Sequence, residues 1–185
     1  EQIRNMPKVG IQMCLPKGMD SVRWFGIDKE SYSDRHQSGV TGTYKRHAST
    51  LFHRYERPQE AGNRVGVRWL SVEGNGVGYY VDMLDSNFNF SIYPYTDVDL
   101  YESESSETLK ERDFWTLNVD YRQAAVGSAL AGQEVADAGL VALLTLHDEV
   151  VGAGNARRLL HLVLRGVVDT KRDIVEEGVV EEIAS

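Results

Sequence analysis

Apolar and polar side chains alternate one by one in short runs through the first two thirds of this chain, and that period of two constrains the fold more than any other feature. Val9, Ile11, Met13 and Leu15 alternate with Gly10, Gln12 and Cys14. Successive side chains of an extended strand point to opposite faces, so such a run buries one face and leaves the other polar. Val65, Val67 and Trp69 alternate with Gly66 and Arg68 in the same way. Gly74-Asn75-Gly76 then supplies a turn, because Asn-Gly tolerates the positive φ angles of a tight hairpin. Tyr79, Val81 and Met83 continue the alternation beyond it. Phe88, Phe90 and Ile92 against Asn87, Asn89 and Ser91 give the cleanest run, closed by Pro94, and Trp115, Leu117 and Val119 mark another. Six or more short strands punctuated by Gly, Pro and Asn predict an all-β fold, an antiparallel β-sandwich.

The pattern stops near Gly127. All 17 Phe, Trp and Tyr residues lie at or before Tyr121, and all 4 prolines at or before Pro94. Residues 129–185 carry 5 basic and 10 acidic side chains. Within them, Asn155 to Val168 (NARRLLHLVLRGVV) has the composition of a helix, with Asn155 placed to cap it. Gly139, Gly152, Gly154, Gly166 and Gly178 each weaken a continuous helix by about 1 kcal/mol relative to Ala. The expected organisation is a sandwich over residues 1–128 and a divergent tail over residues 129–185, helical or disordered.

A net charge of −8 argues against a nucleic-acid surface, which needs clustered Lys and Arg to displace counterions. Seven acids between Asp97 and Asp113 stand against Lys110 and Arg112 alone, the composition of a solvated loop. The single cysteine, Cys14, rules out an internal disulfide and fits a reducing, cytoplasmic location. Its place in an alternating run makes it buried filler rather than a nucleophile. No apolar run approaches the roughly 20 residues of a membrane helix, so no membrane partner is expected. A start at Glu1, without the apolar core of a signal peptide, suggests a chain cut from a longer one or processed.

Chemistry-bearing constellations are sparse. Gly74, Gly76 and Gly78 mimic a phosphate loop, but a nucleotide fingerprint needs a helix after it, and both flanks here are extended. His36, His47, His53, His147 and His161 show no zinc-like spacing. Ser31, Ser33 and Asp34 beside His36 lack the strand–turn–helix context of an activated nucleophile. Glu30, Asp34, Glu56 and Glu60 are available acids, yet no local pattern pairs them across a bond, as glycoside hydrolysis requires at about 5–5.5 Å in retaining enzymes. Trp24, Trp69, Tyr79 and Tyr93 offer either a sugar-stacking platform or core packing, the commoner fate. No catalytic or metal-ligating residue is assigned.

Longer landmarks are more specific. MPKVGIQMCLPKGMDSVRWFG, SYSDR, GVTGTYKRH, RPQEAGNRVGVRWLSV, FNFSIYPYTDVDLYES and RDFWTLNVDYRQAAVG occur in that order. From about Met6 to Gly127 the chain resembles the C-terminal small-chain region of the family 2 β-galactosidases. The resemblance implies a supersandwich of galactose mutarotase-like fold, packed against a catalytic barrel. It implies a retaining glycosidase acting on terminal β-galactosides such as lactose, with both catalytic glutamates in the barrel. The partner is then a barrel-bearing large chain or upstream domains, and the sugar is met only by the assembled enzyme. No cofactor is expected in this chain, whereas magnesium and sodium are implied for the complete enzyme. Departures from the family pattern are the missing Gly-Pro after Trp24-Phe25-Gly26 and the Ala61 in place of Asn. The tryptophan that reaches the galactose site in many members falls at Gly132, so no substrate-binding residue is assigned. After Gly132 the resemblance ends, which suggests that residues from about 130 onward come from a shifted reading frame, a missed intron or an unrelated fusion, on a sandwich incomplete at both ends. The expected role is non-catalytic support of the barrel; the alternatives are a carbohydrate-binding module and a sugar epimerase.

Overall fold

The computed structural model of the chain describes residues 8–32, 38–83, 86–123, 139–151 and 155–167. In chain order these form β1 (Lys8–Pro16), β2 (Ser21–Ile27), β3 (Thr41–His47), β4 (Arg64–Val67), β5 (Trp69–Gly74), β6 (Val77–Met83), β7 (Phe88–Tyr93), α1 (Asp97–Glu102), β8 (Phe114–Gln123), β9 (Gly139–Val151) and β10 (Asn155–Val167). One sheet has the spatial order β1-β8-β7-β4 and the other β3-β2-β5-β6-β10-β9. Pairing is antiparallel throughout, except where β10 runs parallel to β6.

The inward faces follow the alternation. Trp24, Leu70 and Val81 of the larger sheet meet Phe90, Ile92 and Leu117 of the smaller in one core, each at 0–1% exposure. Trp24 stands edge-on to Phe90 across the layers, with centroids 5.6 Å apart. Each buried side chain of this size stabilises the fold by roughly 1.5–3 kcal/mol. The β5–β6 hairpin turns on Asn75 (φ 53°) and Gly76 (φ 74°). Two successive positive φ angles give the tight turn whose twist matches the flanking strands, as the sequence predicts. A satellite core of Tyr93, Tyr95, Leu100 and Leu109 seats α1.

Four expectations need correction. The run through Val65, Val67 and Trp69 is not one strand: it changes sheets at Arg68, whose N–H donates to the carbonyl of Phe25 at 2.9 Å. The crossing inverts the parity, so Val67 points inward while Trp69 points out and Leu70 takes the next core position. Cys14 is exposed, not buried, because it lies on the face of β1 opposite Met13 and Leu15. The acidic run is not all loop: Asp97–Glu102 is helical, fixed by a capping box between Thr96 and Asp99.

The helix expected from Asn155 to Val168 is the fourth. Asn155–Val167 is strand β10, paired to β9 along 13 residues and to β6 from Arg158 to Leu164. The free edge of β6 supplies unpaired N–H and C=O groups, and a ladder partner on each side outweighs a weak helix preference diluted by valine and glycine. The remainder of the tail, including Gly132, lies outside the described residues.

Candidate functional site

The second face of the smaller sheet is the unusual one. Pairing aligns Gly10, Asp120 and Asn89 on one rung, Gln12, Asn118 and Ser91 on the next, and Cys14, Thr116 and Tyr93 on a third. An outward sheet face ordinarily meets water, yet Asp120, Asn118, Thr116 and Ser91 are all at most 1% exposed. Their burial demands hydrogen bonds, and Asn118 provides the hub. Its Oδ1 accepts from Lys8 Nζ (3.2 Å) and Gln12 Nε2 (2.8 Å), and its Nδ2 donates to Ser91 Oγ (3.1 Å) and Tyr93 Oη (2.9 Å). Tyr93 Oη in turn donates to Asp97 Oδ1 at 3.2 Å. Burial, with Glu60 and Asp97 nearby, pushes the Tyr93 hydroxyl well above its usual range.

Glu60, from the loop before β4, closes the edge of this face. It pairs with Lys8 at 3.4 Å and accepts from Gln123 Nε2 at 2.7 Å. Asp120 has no such support: neither carboxylate oxygen has a hydrogen-bond partner. Its Oδ1 occupies the space over Gly10, 2.1 Å from where a Cβ there would sit, so only glycine leaves it room. Burial pushes its pKa up to about 7; Glu60 and Asp97 add to the rise and Lys8 opposes it. A buried carboxyl without partners is cheaper neutral than ionised.

The residues singled out from the sequence do not converge. Trp24 and Tyr93 are core, and Tyr79 packs half-buried against it. Trp69 lies on the outer face of the larger sheet, stacked on Tyr80 at 6.2 Å. Glu30 accepts from the Tyr32 hydroxyl at 2.8 Å, and Glu56 is exposed. The buried Ser31 donates its backbone N–H to the Asn63 carbonyl at 2.8 Å, and its carbonyl accepts from Asn63 Nδ2 at 2.7 Å. His47 caps the turn Ala48–Thr50 and lies 3.2 Å from Asp20, while His53 meets Tyr55 edge-on at 4.5 Å. Ser33, Asp34 and His36 lie outside the described residues, as do the side chains of His147 and His161. The sequence reading missed Asn118 and Asp120. Their signal is a strand whose polar half is made of Asn, Ser, Thr and Asp rather than of long charged side chains.

Chemically, the β7–β8 part of this face is a sealed polar seam, while Gln12 and Cys14 of β1 on the same face are exposed. Glu60 is engaged, Asp120 is closed to any sugar-sized ligand, and among the described residues no three His, Cys, Asp or Glu side chains come together to hold a metal. No described helix is long and apolar enough to cross a membrane.

Fold and seam together define an all-β sandwich domain in which β7 and β8 bury side chains on both faces of the smaller sheet. Residues 1–143 match the family described as β-galactosidase small chain, and the chain belongs to that family. The match runs past Gly132, beyond the point where the landmarks fade. Similar proteins are the β-galactosidases of Actinobacillus pleuropneumoniae (31% identical over 133 residues, 71% of this chain and 13% of that protein), of Arthrobacter sp. strain B7 (30% over 135 residues, 70% and 13%) and of Vibrio cholerae serotype O1 (34% over 123 residues, 66% and 11%). The chain therefore spans about one eighth of the length of the curated relatives it matches.

Proposed function

We propose that this chain is a non-catalytic C-terminal domain or small subunit of a β-galactosidase, supporting a catalytic barrel carried by a large chain or by upstream domains. The assembled enzyme hydrolyses terminal β-galactosides such as lactose with retention, in the cytoplasm, using two glutamates of the barrel. The observation that carries the reading is the fate of the acids. Glu30 and Glu60 are held by neighbours, and Asp120 is sealed with its partners absent. Retaining hydrolysis needs two carboxyl groups facing one cleft at about 5–5.5 Å. Magnesium and sodium, implied by the resemblance for the complete enzyme, belong on this reading to the rest of it.

The purified chain is expected to release no chromophore from a chromogenic β-galactoside, since the preorganised carboxylates that lower the barrier are elsewhere. Turnover above the buffer blank, surviving further purification, overturns the reading. A second reading, carbohydrate binding by the sandwich alone, draws on the stacked Trp69–Tyr80 pair of the outer face. Calorimetric titration with galactose and lactose separates the two: saturable heat that Trp69→Ala abolishes favours a binding module.

A further inference from the structure

We propose that the exposed face of α1, built on Val98 and Tyr101, is a docking ridge that seats this domain on the barrel-bearing remainder of the enzyme, against a basic surface with an apolar socket. The inference deepens the scaffold reading and rests on it. Val98 is 59% and Tyr101 91% exposed, and three residues apart on a helix they are neighbours on one side. A helix of six residues has little stability of its own, yet this one is held at its N-terminal half and from beneath. Thr96 and Asp99 form its capping box, Arg112 clasps Asp99 with two nitrogens, and Leu100, 3% exposed, anchors it in the satellite core. The fold thus presents an aromatic and an aliphatic side chain to solvent on a rigid mount. Such preorganisation lowers the ordering cost of binding, and tyrosine is among the residue types that most often dominate interfaces. Beside the ridge lies an open depression of about 440 Å³ whose lining includes Ser103, Thr108, Lys110 and Glu111, a hole next to the knob.

Charge states what the partner is. Asp97, Glu102, Glu104, Glu107, Glu111 and Asp113 around the ridge are all exposed. Arg112 is engaged with Asp99 and Lys17 with Glu111, which leaves Lys110 against Asp97, Glu102, Glu104, Glu107 and Asp113. A negative rim around an apolar knob selects a positive rim around an apolar hole, and it repels a second copy of itself. The space for that partner is large, because some seven eighths of the Actinobacillus relative lies outside the matched segment.

The test measures binding of the full chain to the Actinobacillus pleuropneumoniae β-galactosidase deleted for the segment this chain matches. Wild type, the double variant Val98→Ser/Tyr101→Ser, the double variant Glu102→Lys/Glu104→Lys and the control Val40→Ser are compared at low and high salt. Unchanged melting of each variant checks that the substitutions leave the fold intact. The expected result is binding by wild type and control, at least tenfold weaker binding by both double variants, and weakening with salt that is smaller for the charge variant. Equal affinity for all four chains overturns the ridge while leaving the scaffold reading standing. No binding by wild type overturns the scaffold reading itself. Self-association of the wild-type chain, lost in Val98→Ser/Tyr101→Ser, replaces the proposed partner with a second copy and overturns the proposal.

Discussion

Replacing Asp120 with asparagine keeps its shape and removes its titration. The carboxyl is raised from an ordinary 3.8 to about 7, with burial the main cause. When a group's folded pKa lies above its unfolded pKa, the stability it contributes is complete below the unfolded value. That stability is lost as pH rises toward the folded value. The window here is therefore pH 4 to 7, in which the unfolded chain ionises this acid while the folded chain must keep it neutral. About three pH units at about 1.4 kcal/mol apiece give a limit of ~4 kcal/mol, reduced where water penetrates. Urea denaturation of wild type and Asp120→Asn at pH 4, 5, 6, 7 and 8 measures the difference directly. The variant's advantage is expected to grow through that window and to level off above pH 7. Glu60, Asp97 and Lys8, the charged groups facing Asp120, are common to both proteins and largely cancel in the difference. Parallel stability curves would show that Asp120 ionises freely and that the sealed seam is misread.

Three further perturbations probe the same construction. Asn118→Leu removes the partner that Lys8, Gln12, Ser91 and Tyr93 share. Lys8 keeps Glu60, and Gln12 and Tyr93 keep Asp97, so urea titration should record a loss of about 1–3 kcal/mol for a buried group left short of a partner, and a near-neutral result refutes the hub. Gly10→Ala is expected to destabilise by at least the ~1–3 kcal/mol of an overpacked core, because the new Cβ also meets the Val119 carbonyl at 2.5 Å, and a thermal melt reads the shift. Gly76→Ala should cost roughly 1–2 kcal/mol through its φ of 74° alone, since nothing lies within 4 Å of the added methyl; a larger loss points to a contact beyond the turn.

Local chemistry made the inward face legible. Alternation located Val67, Val81, Phe90 and Leu117 because a period of two can bury only one side at a time, and Asn75-Gly76 announced its turn because few other dipeptides accept two positive φ angles. What alternation cannot convey is which sheet a strand joins. Val65, Val67 and Trp69 keep their rhythm across the Arg68 corner, although the partners change from β7 to β2 and β6. The fate of Asn155–Val167 was hidden for a related reason: the ladder that makes it a strand is offered by β6, with partners such as Arg158 and Val77 lying 81 residues apart in the chain, and no local propensity reports a distant free edge.

The polar half of β7 and β8 obeys a different rule from a solvated sheet face. Read along the chain, Asn89, Ser91, Thr116, Asn118 and Asp120 look like the wet side of a sandwich, because a polar residue at every second position is what solvent selects. A solvated sheet face, however, tolerates long charged side chains, which reach into water and repel neighbouring edges. A covered face must satisfy every donor and acceptor within its own layer, and that favours short amides and hydroxyls with fixed geometry. Asn118 meets that demand with four bonds; Asp120 fails it twice over, with two bare oxygens. The residue that breaks the rule is also the one that requires glycine on the adjacent strand, so Gly10 and Asp120 constrain each other as a pair. A carboxyl kept in such a place is tolerable only while it holds its proton. Asp120 therefore lowers the stability of the fold as pH rises from about 4 to 7 and changes it little above that, a dependence that the apolar core beneath it, having nothing to titrate, cannot supply.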